Sequence, residues 1–488
     1  MNEQNFQTTE QEEISVSEGF EKKTSYFQID FLKALMIFLV IFDHYVYWDV
    51  KSEIGATLWE RISIPVFLVV MGLNMGLSFK GQGATTLKQL YSWSYFKKKI
   101  LRYIVPFLIL YAASTFIGLF MYYFDFVAMY DNQYYPEHGI INLFTLILPF
   151  WGPGNWFIPV LMQSILVVPL LYWGFTKKPV ITLVLTFVVE IVLQIIVFFL
   201  IGDITSYEEG HYLSVFMTSI LFYLSAVGLG MWFSMDHDLQ SKHNFFMWFL
   251  YPINLAYLVA YQFFGFSFRF DGTPLLRGDY HFLVFSYSAF IVLLALKFLP
   301  HTSTRKISKT ISLIGKSTYH ILLTQILGFG MIEAYWGTHY GMFMPFNPFD
   351  LIDLAALWLL FIWVGIIWYK IDRQKDVARR ILYYLNFFII FPCILFLTFW
   401  SQGFWIPIQL IVIILYAISA TILHFVIKKP INTRIVGVWT GFLVVSFISM
   451  ILQVTIFVPS DFWILLIPMG VYLAFALYFT LSNKIYEN

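Results

Sequence analysis

Long apolar stretches separated by short polar segments are the main pattern of this sequence. Fourteen stretches have about the length that crosses a bilayer core, which takes roughly 20 apolar residues in a helix. The first ten lie near residues 28–48, 58–79, 101–124, 156–174, 179–201, 212–234, 245–266, 280–299, 311–334 and 350–369. The last four lie near 381–400, 404–427, 433–457 and 461–481. The pattern predicts an all-α, polytopic transmembrane helical bundle, in which the stretch 140–150 is too short to span.

Composition supports a lipid environment. Hydrophobic residues make up 59% of the 488 residues and charged residues only 12%, against about 25% in soluble proteins. Charge is expensive in hydrocarbon, so its scarcity is typical of a membrane protein. The single cysteine, Cys393, excludes an intrachain disulfide and a cysteine-based metal site, and we expect no metal. Residues 1–25 are polar and lack the apolar core of a signal peptide, which predicts a disordered cytoplasmic tail.

The distribution of lysine and arginine predicts the orientation. If the N-terminus is placed inside and the spans alternate, the inside segments hold about six times as many of these residues as the outside segments. The outside set contains only Lys51, Arg61, Arg269 and Arg277. An error of one span would reverse every later loop and destroy this bias. We therefore expect a multi-pass protein of the plasma membrane with both termini in the cytoplasm.

The charged stretch 370–380 divides the chain into two parts. Residues 26–375 hold ten spans with polar side chains in or near the membrane. Residues 376–488 hold four almost purely apolar spans, which offer no acid, base or anion site. We predict a ten-helix working domain followed by an appended four-helix module that is dispensable for the chemistry.

The first span carries the richest set of titratable residues. Lys33 and His44 are eleven positions apart, which is three helical turns plus about 20°, so both lie on one face with Asp30 nearby. Such a polar stripe is typical of a face turned to the protein interior. Two structural alternatives stay open, since Asp30 and Lys33 could lie at the cytoplasmic interface and His44 could be a hydrogen-bonded interface residue. Asp43 is expected to point elsewhere, about 100° round the helix from His44.

Three other segments hold candidate polar residues. A basic cluster at the start of the third span could bind phosphates, or could serve only as a topology signal and a contact for anionic lipid; it comprises Lys97, Lys98, Lys99 and Arg102. Asn155 and Trp156 open the fourth span, where a tryptophan is also typical of the aromatic belt. The ninth span contains His320, Thr324 and Gln325. No motif for binding nucleic acid is present.

Taken in order, these segments resemble the acyltransferase-3 family of membrane O-acyltransferases over about residues 25–375. The resemblance is carried by Ile29–Lys33 with His44, Arg61–Gly72, Lys99–Pro106, Asn155–Phe157, Gly315–Gln325 and Gly365–Asp372. Three positions depart from the family pattern. Lys33 stands where arginine is usual, Met71 replaces a serine, and Gln325 replaces a histidine. Lysine keeps the charge but loses the planar, bidentate fork of arginine.

The resemblance implies transfer of an acyl group, often acetyl from acetyl-CoA, to a hydroxyl of a sugar or a cell-envelope glycolipid. It implies His44 as the catalytic histidine, with Asp30 and Lys33 supporting it. It suggests the basic cluster for the CoA donor and Asn155, Trp156 and Gln325 for the acceptor. The alternative from another class is a multi-pass transporter or a lipid-linked-sugar flippase, which fourteen spans with sparse charges would also fit.

Overall fold

The structure is a computed structural model that describes residues 26–121, 154–201, 218–235, 241–276, 280–336 and 348–377, together with residues 125, 380 and 384. The predicted tail over residues 1–25, the short segment 140–150 and the last four predicted spans, apart from residue 384, lie outside the described residues. The division of the chain at residue 375 therefore stays a prediction.

The described part of the chain is mostly helical. Its α-helices are α1 (Phe27–Tyr45), α2 (Trp48–Glu53), α3 (Ser63–Gly81), α4 (Leu87–Leu90), α5 (Trp93–Lys99), α6 (Val105–Met121), α7 (Phe157–Lys177), α8 (Pro179–Ile201), α9 (Leu224–Met235), α10 (Met247–Phe264), α11 (Phe282–Phe298), α12 (Lys306–Trp336) and α13 (Pro348–Asp372). A two-residue antiparallel hairpin, β1 (Arg269–Phe270) with β2 (Thr273–Pro274), joins α10 to α11. Each of the first ten predicted spans contains one of the longer helices.

Length and apolarity identify three stretches of the described chain that can cross a membrane, over residues 56–81, 157–177 and 179–200. The total number of spans and the orientation of the termini stay predictions. The helices share one large apolar core, to which α1, α3, α9, α11, α12 and α13 all contribute fully buried side chains.

Close backbone contacts hold the centre of the bundle together. A side chain at Gly230 of α9 would collide with the carbonyl oxygen of Val69 in α3. In the same way, a side chain at Gly315 of α12 would collide with the backbone of Asp30 in α1. Small residues at helix contacts allow this close approach in a membrane, where van der Waals packing is a main source of helix association. The contact at Gly315 fixes α12 against the polar first turn of α1.

Irregular segments shape the two ends of the bundle. At one end, which we call the basic end, α5 continues into α6 through a π-helical turn over Ile100–Ile104 that holds Arg102. A π turn interrupts the regular α-helical spacing and is frequent at functional sites. At the other end, which we call the His44 end, α2 folds back after α1. The Lys51 side chain of α2 donates a hydrogen bond of 2.8 Å to the carbonyl oxygen of Asp43 near the end of α1.

Candidate functional site

A cavity of about 2460 Å³ opens at the basic end. Its walls come from α1, α3, the α5–α6 junction, α7, α12 and the end of α13. Eight lysine or arginine side chains line it, against two aspartates. The basic residues are Lys33, Lys80, Lys98, Lys99, Arg102, Lys316, Arg373 and Arg380. The chain as a whole has a net charge of only +1, so positive charge is concentrated in this cavity.

Asp30 and Lys33 lie in the wall of this cavity. The Lys33 Nζ is 3.1 Å from Asp30 Oδ1, and the Lys316 Nζ of α12 is 3.9 Å from Asp30 Oδ2. The Lys33 side chain is only 17% exposed. This position favours the interior-facing interpretation over a lysine that reaches outward to the membrane surface.

The basic cluster divides between the cavity wall and the outer surface. Lys98, Lys99 and Arg102 line the cavity, whereas Lys97 is exposed and does not line it. The Lys99 Nζ lies 5.5 Å from the centre of the Tyr103 ring, and the Arg102 guanidinium lies 5.4 Å from the same ring. The phenol of Tyr319 in α12 donates a hydrogen bond of 2.7 Å to the Tyr103 carbonyl oxygen. This aromatic pair connects the cationic turn to α12.

At the His44 end, Asp43 is the centre of a cluster of charged groups. Its Oδ1 accepts a hydrogen bond of 2.6 Å from Lys51, and the Arg61 Nη1 lies 3.3 Å from both of its oxygens. Its Oδ2 is 3.6 Å from the Nδ1 of His44. The expectation that Asp43 points away from His44 is therefore wrong for its side chain. Because α2 folds back over the end of α1, Lys51 and Arg61 hold the carboxylate beside the imidazole.

The other nitrogen of His44 faces the start of α7 and the middle of α12. A Cβ built on Gly154 would lie 3.5 Å from His44 Nε2 and 3.4 Å from Gln325 Nε2. Gly154 has a backbone φ of 90°, a conformation that favours glycine, so the chain approaches the histidine closely here. The structure thus brings His44 and Gln325, which are 281 positions apart in the sequence, close to the same glycine.

Three buried amide atoms near this position have no hydrogen-bond partner among the described residues. Gln325 is fully buried, and neither its Oε1 nor its Nε2 makes a hydrogen bond to any described residue. The Oδ1 of Asn155, which is 3% exposed, has none among the described residues either. Buried polar groups are nearly always paired in proteins, so such groups point to a role in strain, binding or catalysis.

Trp156 supports this end of the site from the side. Its ring stacks on Tyr223 at 5.7 Å and meets the edge of Tyr280 at 6.2 Å. The Arg61 guanidinium lies 4.8 Å from the centre of the same Tyr280 ring. Trp156 is thereby connected to the charged cluster at Asp43.

The cavity ends one helical turn short of His44. Towards the His44 end, its lining residues include Val40 of α1, Leu322 of α12 and Phe157 of α7. Val40 precedes His44 by four residues, Leu322 precedes Gln325 by three, and Phe157 follows Asn155 by two. On a helix, residues three or four apart are neighbours on one face. The cavity is therefore directed from the basic end towards the group formed by His44, Asn155 and Gln325.

The sequence matches a known protein family. A family model described as an acyltransferase domain matches residues 26–368, which is well over half of the chain. The chain belongs to the acyltransferase-3 family. No curated protein and no solved structure matches it. Its apolar helices together with this membership make it a membrane acyltransferase.

A second histidine of this acyltransferase lies at the basic end. The Nε2 of His320 is 3.5 Å from Asp372 Oδ2, and the Tyr384 hydroxyl donates a hydrogen bond of 2.7 Å to Asp372 Oδ1. Burial alone would raise the pKa of Asp372, but the contacts with His320 and Tyr384 and the charge of Arg380 hold it below its usual value. Sequence reasoning noted His320 but missed its partner, since the two residues are far apart along the chain and no spacing connects them.

Proposed function

We propose that the protein transfers an acyl group, most simply acetyl, from acyl-CoA to a hydroxyl of a sugar or of a cell-envelope glycan or glycolipid. The observation that carries the proposal is the cavity that leads from a cationic opening to within one turn of His44. It offers separate places for a polyanionic donor and for the reacting histidine, as transfer from CoA requires.

The donor would enter at the basic end. Its phosphates would bind among Lys98, Lys99 and Arg102, since cationic side chains make charge-assisted hydrogen bonds with phosphate oxygens. Lys33 and His44 are separated by about 16 Å along α1, at a rise of 1.5 Å per residue. The extended pantetheine arm suits that distance, and the apolar residues deep in the cavity would surround it.

His44 would act as the general base. A neutral imidazole can take the acceptor's hydroxyl proton as the oxygen attacks the thioester carbonyl carbon. The new C–O bond forms, the C–S bond breaks, and the imidazolium returns the proton to the leaving thiolate. The structure supports Nε2 for this step, since Nδ1 faces the Asp43 carboxylate and Nε2 faces Gly154. Asp43 would orient the ring and stabilise the imidazolium.

The acceptor would bind at the His44 end. The amides of Asn155 and Gln325 are uncharged, buried and available to hydroxyl groups. Directional hydrogen bonds of this kind suit a neutral carbohydrate better than an anion. With the basic end in the cytoplasm of a plasma-membrane protein, the acceptor would come from the outer face or the outer leaflet, where lipid is the neighbouring partner.

The direct test is thiol release and product formation by the purified protein in lipid vesicles. Radiolabelled acetyl-CoA is supplied with a panel of glycolipids and soluble glycans, with vesicles that lack the protein as the control. We expect thiol release that depends on the protein and rises when a hydroxyl acceptor is present. Acetyl-CoA that stays intact with every acceptor, when the protein is folded and inserted, would contradict the proposal.

A further inference from the structure

The segment that follows the matched acyltransferase domain forms part of the cavity wall. The family match ends at residue 368, yet Asp372, Arg373, Val377, Arg380 and Tyr384 all line the cavity. Neither the family resemblance nor the sequence patterns assign a function to these residues. They lie at the junction with the predicted four-helix module, on a different wall from Lys98, Lys99 and Arg102.

Specific contacts anchor this segment to the bundle. The hydrogen bond from Tyr384 to Asp372 and the contact of Asp372 with His320 connect it to α12. The backbone N–H of Arg380 donates a hydrogen bond to the Asp376 carbonyl oxygen at 2.9 Å. The Arg373 guanidinium lies 5.2 Å from the centre of the Tyr369 ring on α13. The two arginines are therefore held at the opening of the cavity.

The two cavity carboxylates are already compensated. Asp30 pairs with Lys33, and Asp372 contacts His320 and accepts from Tyr384. The charges of Arg373 and Arg380 therefore add to the positive excess of the opening. Arg102 on one wall and Arg373 on the other both line the same cavity as His320, so the two basic walls face a common space.

We propose that Arg373 and Arg380 form the second half of the donor-binding site and bind phosphates of acyl-CoA together with Lys99 and Arg102. The inference rests on the proposed function. Acyl-CoA carries a diphosphate and a separate phosphate on its ribose, so one basic turn cannot surround all of its charge. Guanidinium groups suit such a site because their planar fork matches two phosphate oxygens. Under this proposal the start of the appended module belongs to the donor site, contrary to the expectation that the whole module is dispensable for the chemistry.

The test measures the donor KM of full-length protein in vesicles. The variants are Arg373→Gln, Arg380→Gln and the double variant. The matched control is Lys375→Gln, which removes the same charge from the same segment at an exposed residue that does not line the cavity. Each variant is assayed with acetyl-CoA and with S-acetylpantetheine, which lacks the nucleotide phosphates.

We expect the double variant to raise the KM for acetyl-CoA about tenfold and to leave the KM for S-acetylpantetheine unchanged. Lys375→Gln should match the wild type with both donors, and Arg373→Lys should recover part of the lost affinity. Equal effects on the two donors, or an unchanged KM for acetyl-CoA, would overturn the inference.

A second arm separates the donor from lipid headgroups, which carry the same phosphate chemistry. The KM values are measured in neutral vesicles and in vesicles that contain anionic lipid. An effect of the double variant that vanishes in neutral vesicles would assign the arginines to lipid and overturn the inference. Wild-type protein that transfers acetyl from neither donor would overturn the proposed function as well, so the two failures are distinguishable.

Discussion

The two ends of this bundle hold different sets of polar groups. The basic end has an open cavity lined by eight cationic side chains, and its two aspartates have partners. At the His44 end, one aspartate, Asp43, is held between Lys51 and Arg61. Three buried amide atoms at this end, Asn155 Oδ1 and the Oε1 and Nε2 of Gln325, make no hydrogen bond to the described residues. One end concentrates positive charge around a cavity, and the other combines a compensated charged cluster with neutral, directional groups.

This difference teaches how a single bundle can bind two unlike molecules. Charge attracts a polyanion from a distance and tolerates several orientations, which suits the nucleotide of a donor. Buried neutral amides discriminate by geometry, because a ligand that fails to pair with them leaves them unsatisfied. The apolar stretch between the ends, from Lys33 to His44 on α1, keeps the two kinds of recognition apart. Four variants, one of them a double variant, sharpen or break this comparison.

The largest effect is expected at His44. We predict that His44→Ala lowers kcat by about 10²- to 10⁴-fold, the usual loss when a general base is removed. The KM for the donor should change little, since the phosphates bind at the other end. Turnover is measured with purified protein in vesicles, and insertion is checked by protease accessibility. His243→Ala, at an exposed histidine outside the cavity, is the matched control. Wild-type turnover in His44→Ala would show that His44 is structural.

Asp43 should come second. We predict that Asp43→Asn lowers kcat by roughly ten- to a hundredfold, because the amide no longer stabilises an imidazolium at His44. The same change leaves the buried charges of Lys51 and Arg61 without their carboxylate, which is destabilising. Thermal stability in detergent is therefore measured beside kcat.

Two companion variants separate these effects for Asp43. Asp43→Glu keeps a carboxylate and should recover part of the turnover. Lys51→Met removes one partner of the carboxylate, so it should lower stability while it leaves a carboxylate beside His44. If kcat falls only in proportion to stability across the three variants, Asp43 has no role in orienting His44.

The sequence predicted the helices and the separation of Lys33 from His44 because both follow from local periodicity. Each of the first ten apolar stretches overlaps one of the longer helices. A separation of eleven positions on a helix determines that Lys33 and His44 share a face and how far apart they lie along the axis. The sequence could not predict contacts that need the return of a distant element. Lys51 and Arg61 reach Asp43 only because the chain folds back after α1, and His44 and Gln325 approach the same glycine, Gly154, only because the start of α7 lies beside α1 and α12. The basic cluster was predicted as a unit, yet the helical turn directs Lys97 away from the cavity.

Neutralising basic residues at the basic end should weaken binding of the donor. We predict that Lys99→Gln with Arg102→Gln raises the donor KM about tenfold and leaves the acceptor KM nearly unchanged. Charge-assisted bonds are worth roughly 1.5–3 kcal/mol each, and partial exposure of these side chains reduces that value. The double variant Lys88→Gln with Lys242→Gln removes two charges outside the cavity and serves as the control. An unchanged donor KM would reduce the cluster to a topology signal.

Gln325 should give the smallest effect and the most specific one. Its amide atoms make no hydrogen bond to the described residues in a fully buried position, so methionine of similar size should leave the melting temperature unchanged or raise it. The same Gln325→Met change should raise the acceptor KM by about two- to tenfold, since a typical hydrogen bond contributes roughly 0.5–1.5 kcal/mol. Gln28→Met is the matched contrast, because the Gln28 Nε2 donates to the Leu296 and Leu299 carbonyl oxygens at 2.8 and 2.6 Å. That variant should lose stability and keep its acceptor KM. A Gln325→Met protein that melts lower and binds the acceptor normally would place Gln325 in the core rather than in the site.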